Sequence, residues 1–117
     1  MTTTELIRLL PEDVRQHTLR VADGLHGDAH LVALLHDVVE DTEATLADLE
    51  VEPHVLAAVA AITRDPAETY FAYIERVRLV PLARLVKLAD LEDHLGQVAT
   101  LRPSLKKRYL KALELLK

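Results

Sequence analysis

Cysteine is absent from this chain of 117 residues. That absence excludes a disulfide framework, a thiol nucleophile and a cysteine-based zinc site. Tryptophan is absent too, and the aromatic residues are Tyr70, Phe71, Tyr73 and Tyr109 alone. With 50% of the residues hydrophobic, the core must therefore be aliphatic, built from Leu, Val and Ala. Glycine occurs only three times, against a wealth of Leu, Ala, Glu, Lys and Arg, which favours helix over sheet. Nowhere do about 18 apolar residues run together, and no signal-peptide pattern opens the chain. No membrane span is expected, and the expected location is the cytoplasm.

The length suits a single domain, residues 1–117, with room for a real core, its first ten or so residues expected as a loose N-terminal segment. The net charge of −5 is unevenly spread: residues 1–101 carry 18 acids against 8 bases, and residues 102–117 carry 6 bases against 1 acid. An acidic body makes a poor binder of nucleic-acid polymers. The basic tail reads most simply as a complement to that body.

Helical signals run the length of the chain. Pro11 followed by Glu12 and Asp13 reads as the start of a helix that carries Val14, His17, Leu19, Val21, Ala22 and Leu25, with Gly24 and the Gly27-Asp28 step ending it. A second helix is expected from about Ala29 to Glu40. A turn follows at 42–44, then a short helical segment opened by a capping box of Thr45 and Asp48. Pro53 opens a long Ala-rich helix through Ile62, broken by Asp65-Pro66. The next runs from Ala67 to Leu79, and another from Pro81 to about Val98. After Arg102-Pro103, Ser104 is expected to cap a last helix to Leu116, with Leu105, Tyr109, Leu113 and Leu116 as its apolar stripe. The expectation is an all-α bundle of five to seven helices.

One stretch stands out. The apolar run from Leu31 to Leu35 leads straight into His36-Asp37, then two valines, then Glu40-Asp41. On one helix these polar groups would share a face about a turn apart. Buried carboxylates are costly unless they are paired or bind a metal. Adding His17 from the first helix and Asp90 from the Pro81 helix gives two imidazoles and two carboxylates, a donor set suited to Mn²⁺, Fe²⁺ or Zn²⁺. Such an ion lowers the pKa of bound water. Glu40 and Asp41, one turn on, would orient that water or protonate a leaving oxygen. His26, His30 and His54 read as surface residues. Tyr70, Phe71 and Tyr73 read as core.

These residues carry a resemblance. A separated His17, the adjacent His36-Asp37 pair and a distant Asp90 resemble the pattern of the HD-domain superfamily, and Leu34-Leu35-His36-Asp37-Val38-Val39-Glu40-Asp41-Thr42 and Lys87-Leu88-Ala89-Asp90-Leu91-Glu92-Asp93 resemble the two signatures of its RelA/SpoT subgroup. More narrowly, the chain looks like the guanosine polyphosphate 3′-pyrophosphohydrolase part of RelA/SpoT proteins and their small stand-alone relatives. Ala61-Ile62-Thr63-Arg64, Glu68-Thr69-Tyr70 and Tyr109-Leu110-Lys111-Ala112-Leu113 extend the likeness over roughly residues 12–115. The resemblance implies a helical HD bundle that binds a divalent metal, Mn²⁺ first and Fe²⁺ or Zn²⁺ after it. It implies ligands at His17, His36, Asp37 and Asp90, and an acid/base pair at Glu40 and Asp41. Arg64, Lys87 and His94 are the expected substrate contacts, with a small-molecule nucleotide or phosphate ester as partner and no nucleic-acid polymer or membrane. The chain departs from the family before His17. A basic-Gly-Pro-Tyr-Ile-type nucleotide grip is replaced by Leu10-Pro11-Glu12-Asp13-Val14-Arg15-Gln16, the upstream helix is expected to be mostly missing, and His94 stands where the family has Asn. The expected function is thus a metal-dependent phosphohydrolase acting on a nucleotide or related phosphate ester. The alternative is a catalytically degenerate HD module that binds a nucleotide or a protein.

Overall fold

Proline and glycine set most of the helix junctions, as their backbone chemistry requires. The computed structural model describes residues 1–96 and 101–117. Its helices are α1 (Thr3–Arg8), α2 (Glu12–Asp23), α3 (Gly27–Leu35), α4 (Val38–Asp41), α5 (Pro53–Ile62), α6 (Tyr70–Arg78), α7 (Pro81–Gly96) and α8 (Pro103–Leu116), with a 3₁₀ turn at Leu46–Asp48. Seven of these helices run six residues or more, and α4 is a single turn. No strand occurs among the described residues. The fold is all-α, as the composition and spacing require. Among the described residues no helix is long and apolar enough to cross a membrane. The expected end of the Pro81 helix near Val98 lies outside the described residues.

Helix α7 is the hub, packing against α2, α3, α5, α6 and α8, while α3 touches α1, α2, α5 and α7. Small residues sit where these helices meet: Ala22, Ala33, Ala58, Ala83 and Ala112 are all fully or almost fully buried. They let backbones approach closely, and Val32, Leu35, Val59, Ile74, Val86 and Leu91 fill the space between. The core is aliphatic, as the shortage of aromatics demands. Tyr70 and Tyr73 are the exceptions: both are buried, and the Tyr73 hydroxyl donates to Ile62 O at 2.5 Å. Arg76 on α6 completes the end of α5 by donating to Ala61 O at 2.8 Å and Thr63 O at 3.0 Å. Carbonyls that a helix C-terminus leaves unpaired are so satisfied from a neighbouring helix.

Several local expectations change. The first residues are not loose: they form α1, capped by a Thr2–Glu5 box, and bury Leu6 and Leu10 in the core. Apolar side chains there outweigh the entropy of a free end. Leu19 is 43% exposed, because the buried face of α2 is His17, Thr18, Val21 and Ala22, and position 19 points away from it. Ser104 does not cap α8; Pro103 occupies the first turn and Arg102 stands at the cap without a side-chain bond. Within α8, Ala112 and Leu116 are buried, while Leu105, Tyr109 and Leu113 are half-buried. Gly27 opens α3 at φ 58°, a left-handed conformation that glycine adopts without a Cβ penalty.

The expected continuous helix from Ala29 to Glu40 is broken at His36-Asp37, where Asp37 adopts φ −101°, ψ −6°. The cause is local. The His36 Nδ1–H donates to Ala33 O at 2.5 Å, and that is the carbonyl a continuous helix would offer to the Asp37 N–H. Helix α4 then resumes for one turn and is closed by Thr42, whose hydroxyl donates to Val38 O at 2.6 Å.

Candidate metal centre

Three elements converge at this break. From α2 comes His17, from the α3–α4 junction come His36 and Asp37, and from α7 comes Asp90. His17, His36 and Asp90 are buried, and Asp37 is half-buried. One donor atom from each of the four lies within 4.8 Å of all the others. His17 Nε2 is 2.7 Å from Asp90 Oδ1 and 3.8 Å from Asp37 Oδ2. His36 Nε2 is 3.0 Å from Asp37 Oδ2 and 3.3 Å from Asp90 Oδ1. Donors held about 2.1 Å from one ion stand roughly 3–4 Å apart. The cluster matches that spacing closely.

The tautomers fit a cation as well. His36 spends its Nδ1–H on Ala33 O, and His17 Nδ1 is 2.6 Å from Asp93 Oδ2. Each imidazole therefore turns Nε2 toward two carboxylates. A neutral ring in that pose would set a lone pair against anionic oxygens, so the arrangement requires either a second proton or a metal ion. The titration behaviour agrees. Burial alone would lower the pKa of His17, but Asp90, Asp93 and Asp37 together raise it. His36 lies well above the usual imidazole value, because Asp37 and Asp90 overcome its burial. Burial pushes Asp90 up, yet Lys87 and the histidines around it hold it well below the usual carboxylate range. The His/Asp cluster could hold a divalent metal.

Glu40 and Asp41 stand on α4, beside the cluster but in different settings. Asp41 lines a cavity of about 290 Å³ with Asp13, Val14, His17, Asp37 and His94. Glu40 lines a neighbouring cavity of about 580 Å³ with Val39, Thr63, Arg64 and Pro66, and its Oε1 accepts the Arg64 backbone N–H at 2.5 Å. Both residues are exposed overall, but protein atoms crowding their carboxylates raise both pKa values, with nearby acids adding to the rise.

The three expected substrate contacts fare differently. Arg64 borders the Glu40 cavity, its guanidinium 5.6 Å from the Tyr70 ring centroid. His94 borders the metal-side cavity, stacked between His17 at 4.3 Å and Tyr109 at 5.2 Å. Lys87 is turned inward: its ammonium is 2.8 Å from Asp90 Oδ2 and 5.4 Å from the Tyr73 ring centroid. His26, His30 and His54 are exposed, as expected. Tyr70 and Tyr73 are buried, and Phe71 is half-buried.

Two partners of the cluster escaped the sequence reading. Thr18, wholly buried, donates its hydroxyl to Asp37 Oδ2 at 3.3 Å. Arg20 grips both oxygens of Asp93, at 3.0 and 3.1 Å. Its spacing carried a signal: Arg20 follows His17 by three positions, as Asp93 follows Asp90, and three positions is helix-face spacing.

No family model matches the chain, and no curated protein does. A solved structure does. A metazoan ortholog of SpoT, described as hydrolyzing ppGpp and playing a role in starvation responses, matches with a TM-score of 0.66 and 26% sequence identity, over 86% of this chain and 67% of that one. The likeness to HD-domain proteins read from the two signatures thus holds in three dimensions. At the level of the family, the shared fold and the His/Asp cluster support an HD-type hydrolase. More narrowly, the resemblance is to the SpoT-like branch.

Proposed function

We propose that the chain is a cytoplasmic, metal-dependent phosphohydrolase acting on a nucleotide or related phosphate ester. The observation that carries this reading is the convergence of His17, His36, Asp37 and Asp90 donor atoms within 4.8 Å, with both Nδ1 atoms already committed elsewhere. These four residues are the proposed ligands and Mn²⁺ the proposed ion. When bound, such an ion supplies Lewis acidity toward a phosphoryl oxygen and a source of hydroxide near neutral pH. Asp41, on the metal-side cavity, and Glu40, on its neighbour, are the proposed acid/base pair that orients water and returns a proton to the leaving oxygen. Their raised pKa values suit proton exchange closer to neutrality than ordinary carboxylates allow. Arg64 and His94 are the proposed phosphate contacts, and Lys87 holds Asp90 in place.

Guanosine polyphosphate is the first substrate to test, and weak turnover is expected. In the stretch before His17 the base is Arg15, and its guanidinium pairs with Glu12. Asp13 adds a further carboxylate to the cavity that Asp37 and Asp41 already line. A highly charged guanosine tetraphosphate meets repulsion there and finds no free grip.

The test is a hydrolysis screen of the purified chain across nucleotides and simple phosphate esters, with Mn²⁺ and with chelator, reading the products by ion-exchange chromatography. Mn²⁺-dependent release of phosphate or pyrophosphate, abolished in Asp37→Asn, is the expected result. Firm Mn²⁺ binding with no turnover of any compound would overturn the hydrolase reading in favour of a binding module. Family-like efficiency on guanosine tetraphosphate would overturn the substrate expectation alone.

A further inference from the structure

The two imidazoles of the centre are aimed by different devices. His36 is held by a main-chain carbonyl, Ala33 O, which no side-chain substitution removes. His17 is held by a side chain. Asp93 Oδ2 lies 2.6 Å from His17 Nδ1, on the opposite edge of the ring from Nε2, which faces Asp90 at 2.7 Å. Asp93 therefore meets the ring from behind and stands apart from the four-donor cluster. It is itself fixed, since Arg20 donates Nε to one of its oxygens and a terminal nitrogen to the other, at 3.0 and 3.1 Å. That two-pronged geometry sets the plane of a carboxylate as well as its position.

We infer that Asp93, clamped by Arg20, is the positioning residue that keeps the His17 proton on Nδ1 and presents Nε2 to a divalent metal. The inference rests on the metal-centre reading above. Its physical basis is general: an imidazole with an acceptor fixed at one nitrogen is locked in one tautomer and one ring orientation, and the other nitrogen becomes the better ligand. His94, stacked 4.3 Å from the far side of His17, limits sideways motion of the ring but offers Nδ1 no acceptor in the structure. Among the described residues, Asp93 does that alone. Both clamp residues also border a groove between α2 and α7, with Leu25 and Leu88 in its walls, and neither lines the cavity that holds His17 and Asp41.

The experiment uses the full chain in two states. In the metal-free protein, at a pH high enough that His17 holds a single proton, long-range ¹H–¹⁵N spectra of labelled histidine report which nitrogen of each ring bears it. Calorimetric titration with Mn²⁺ reports affinity. Wild-type His17 is expected to carry a proton on Nδ1, and Asp93→Ala to bind Mn²⁺ about 10–100-fold more weakly, the usual effect of removing such a support. His36 signals are expected to stay in place. Asp93→Asn keeps an acceptor oxygen and is expected to recover most of the lost affinity, whereas Asp93→Leu fills a similar space with no acceptor and is expected to bind as weakly as alanine, which a merely space-filling role would not produce. Arg20→Ala is expected to fall between alanine and asparagine at position 93. A His17 with no proton on Nδ1, or Asp93→Ala and Asp93→Asn both binding Mn²⁺ as tightly as wild type, would overturn the inference. Failure of the wild-type protein to bind any divalent ion, with His17 still protonated on Nδ1, would instead sink the metal-centre reading.

Discussion

Replacing Lys87 by methionine separates two roles for that residue. Methionine keeps most of the side-chain volume, so little cavity is created and the change is chiefly electrostatic. In the structure Lys87 Nζ lies 2.8 Å from Asp90 Oδ2, and the two side chains are only 13% and 3% exposed. Breaking a buried pair by removing one partner costs about 3–5 kcal/mol, because the other charge is left without compensation. Here His17, His36 and His94 also face Asp90, and a proton on any of them offsets part of the loss. The expected cost in metal-free protein is therefore at the low end, about 3 kcal/mol. For a domain of this size that lowers Tm by roughly 12 °C, at about 4 °C per kcal/mol.

Metal should reverse part of this. A divalent ion among the four donors brings positive charge to the same carboxylate, and without Lys87 it no longer competes with a neighbouring ammonium. Saturating Mn²⁺, at about a hundredfold over Kd, stabilises a folded protein by about 2.7 kcal/mol. The gain is expected to be larger in Lys87→Met than in wild type. The assay is thermal unfolding of both proteins by circular dichroism, once in chelator and once in excess Mn²⁺. If Lys87 serves mainly as a phosphate contact, the variant will melt within about 0.5 kcal/mol of wild type, the range of ordinary surface changes, and the defect will appear in KM. That result would refute the argument from burial.

The other expectations are more local. Glu40→Gln and Asp41→Asn should each keep Mn²⁺ binding and cut turnover by about 10²–10⁴-fold, the usual range for a positioned acid or base, whereas Asp37→Asn should lose both metal and turnover; calorimetry paired with steady-state kinetics distinguishes the two patterns. Mn²⁺ affinity, followed by calorimetry, should fall on acidification by up to about tenfold per pH unit for each imidazole that protonates, because the raised His17 and His36 values let protons compete from higher pH than a free imidazole would. Metal-free protein should show the opposite trend in its melting temperature. Stability linked to those protonated rings is fully present below the unfolded histidine value and is lost as pH rises through the raised folded ones. Thr69→Ala removes the oxygen that accepts the Ala72 N–H at 3.1 Å at the start of α6, and should cost about 1 kcal/mol in chemical denaturation.

Much of the fold was legible because its punctuation is chemical. Pro53 and Pro81 start α5 and α7, positions that proline's own backbone favours, and Gly24 follows the end of α2. The Thr45–Asp48 capping box appears as read, around a 3₁₀ turn. What was not legible came from tertiary partners. A loose N-terminus was expected because a short segment gains little helix stability alone; Leu6 and Leu10 reverse that by entering a core the local sequence does not reveal. The buried face of α2 could not be read locally, because apolar residues occur on both sides of that helix. Packing against α3 and α7 decides which side is buried.

The candidate site shows the same division. Residue types and spacing brought His17, His36, Asp37 and Asp90 to notice, and the fold sets them around one point. Their arrangement, however, depends on a bond that helical periodicity hides. A histidine taking the Ala33 carbonyl costs the helix one backbone hydrogen bond at Asp37. In exchange, the His36 Nε2 and the Asp37 carboxylate reach the same point from consecutive positions, which an unbroken helix, with about 100° between neighbours, would turn apart. The break is thus the step that brings both groups of a His-Asp dipeptide to bear on one point. The same logic extends to Lys87 and Asp93. Lys87 looked like a group free to meet a substrate and Asp93 was given no role, because sequence shows charge without direction. In the folded chain Lys87 is turned onto Asp90 and Asp93 onto His17, so each bears on the cluster through a neighbour within it.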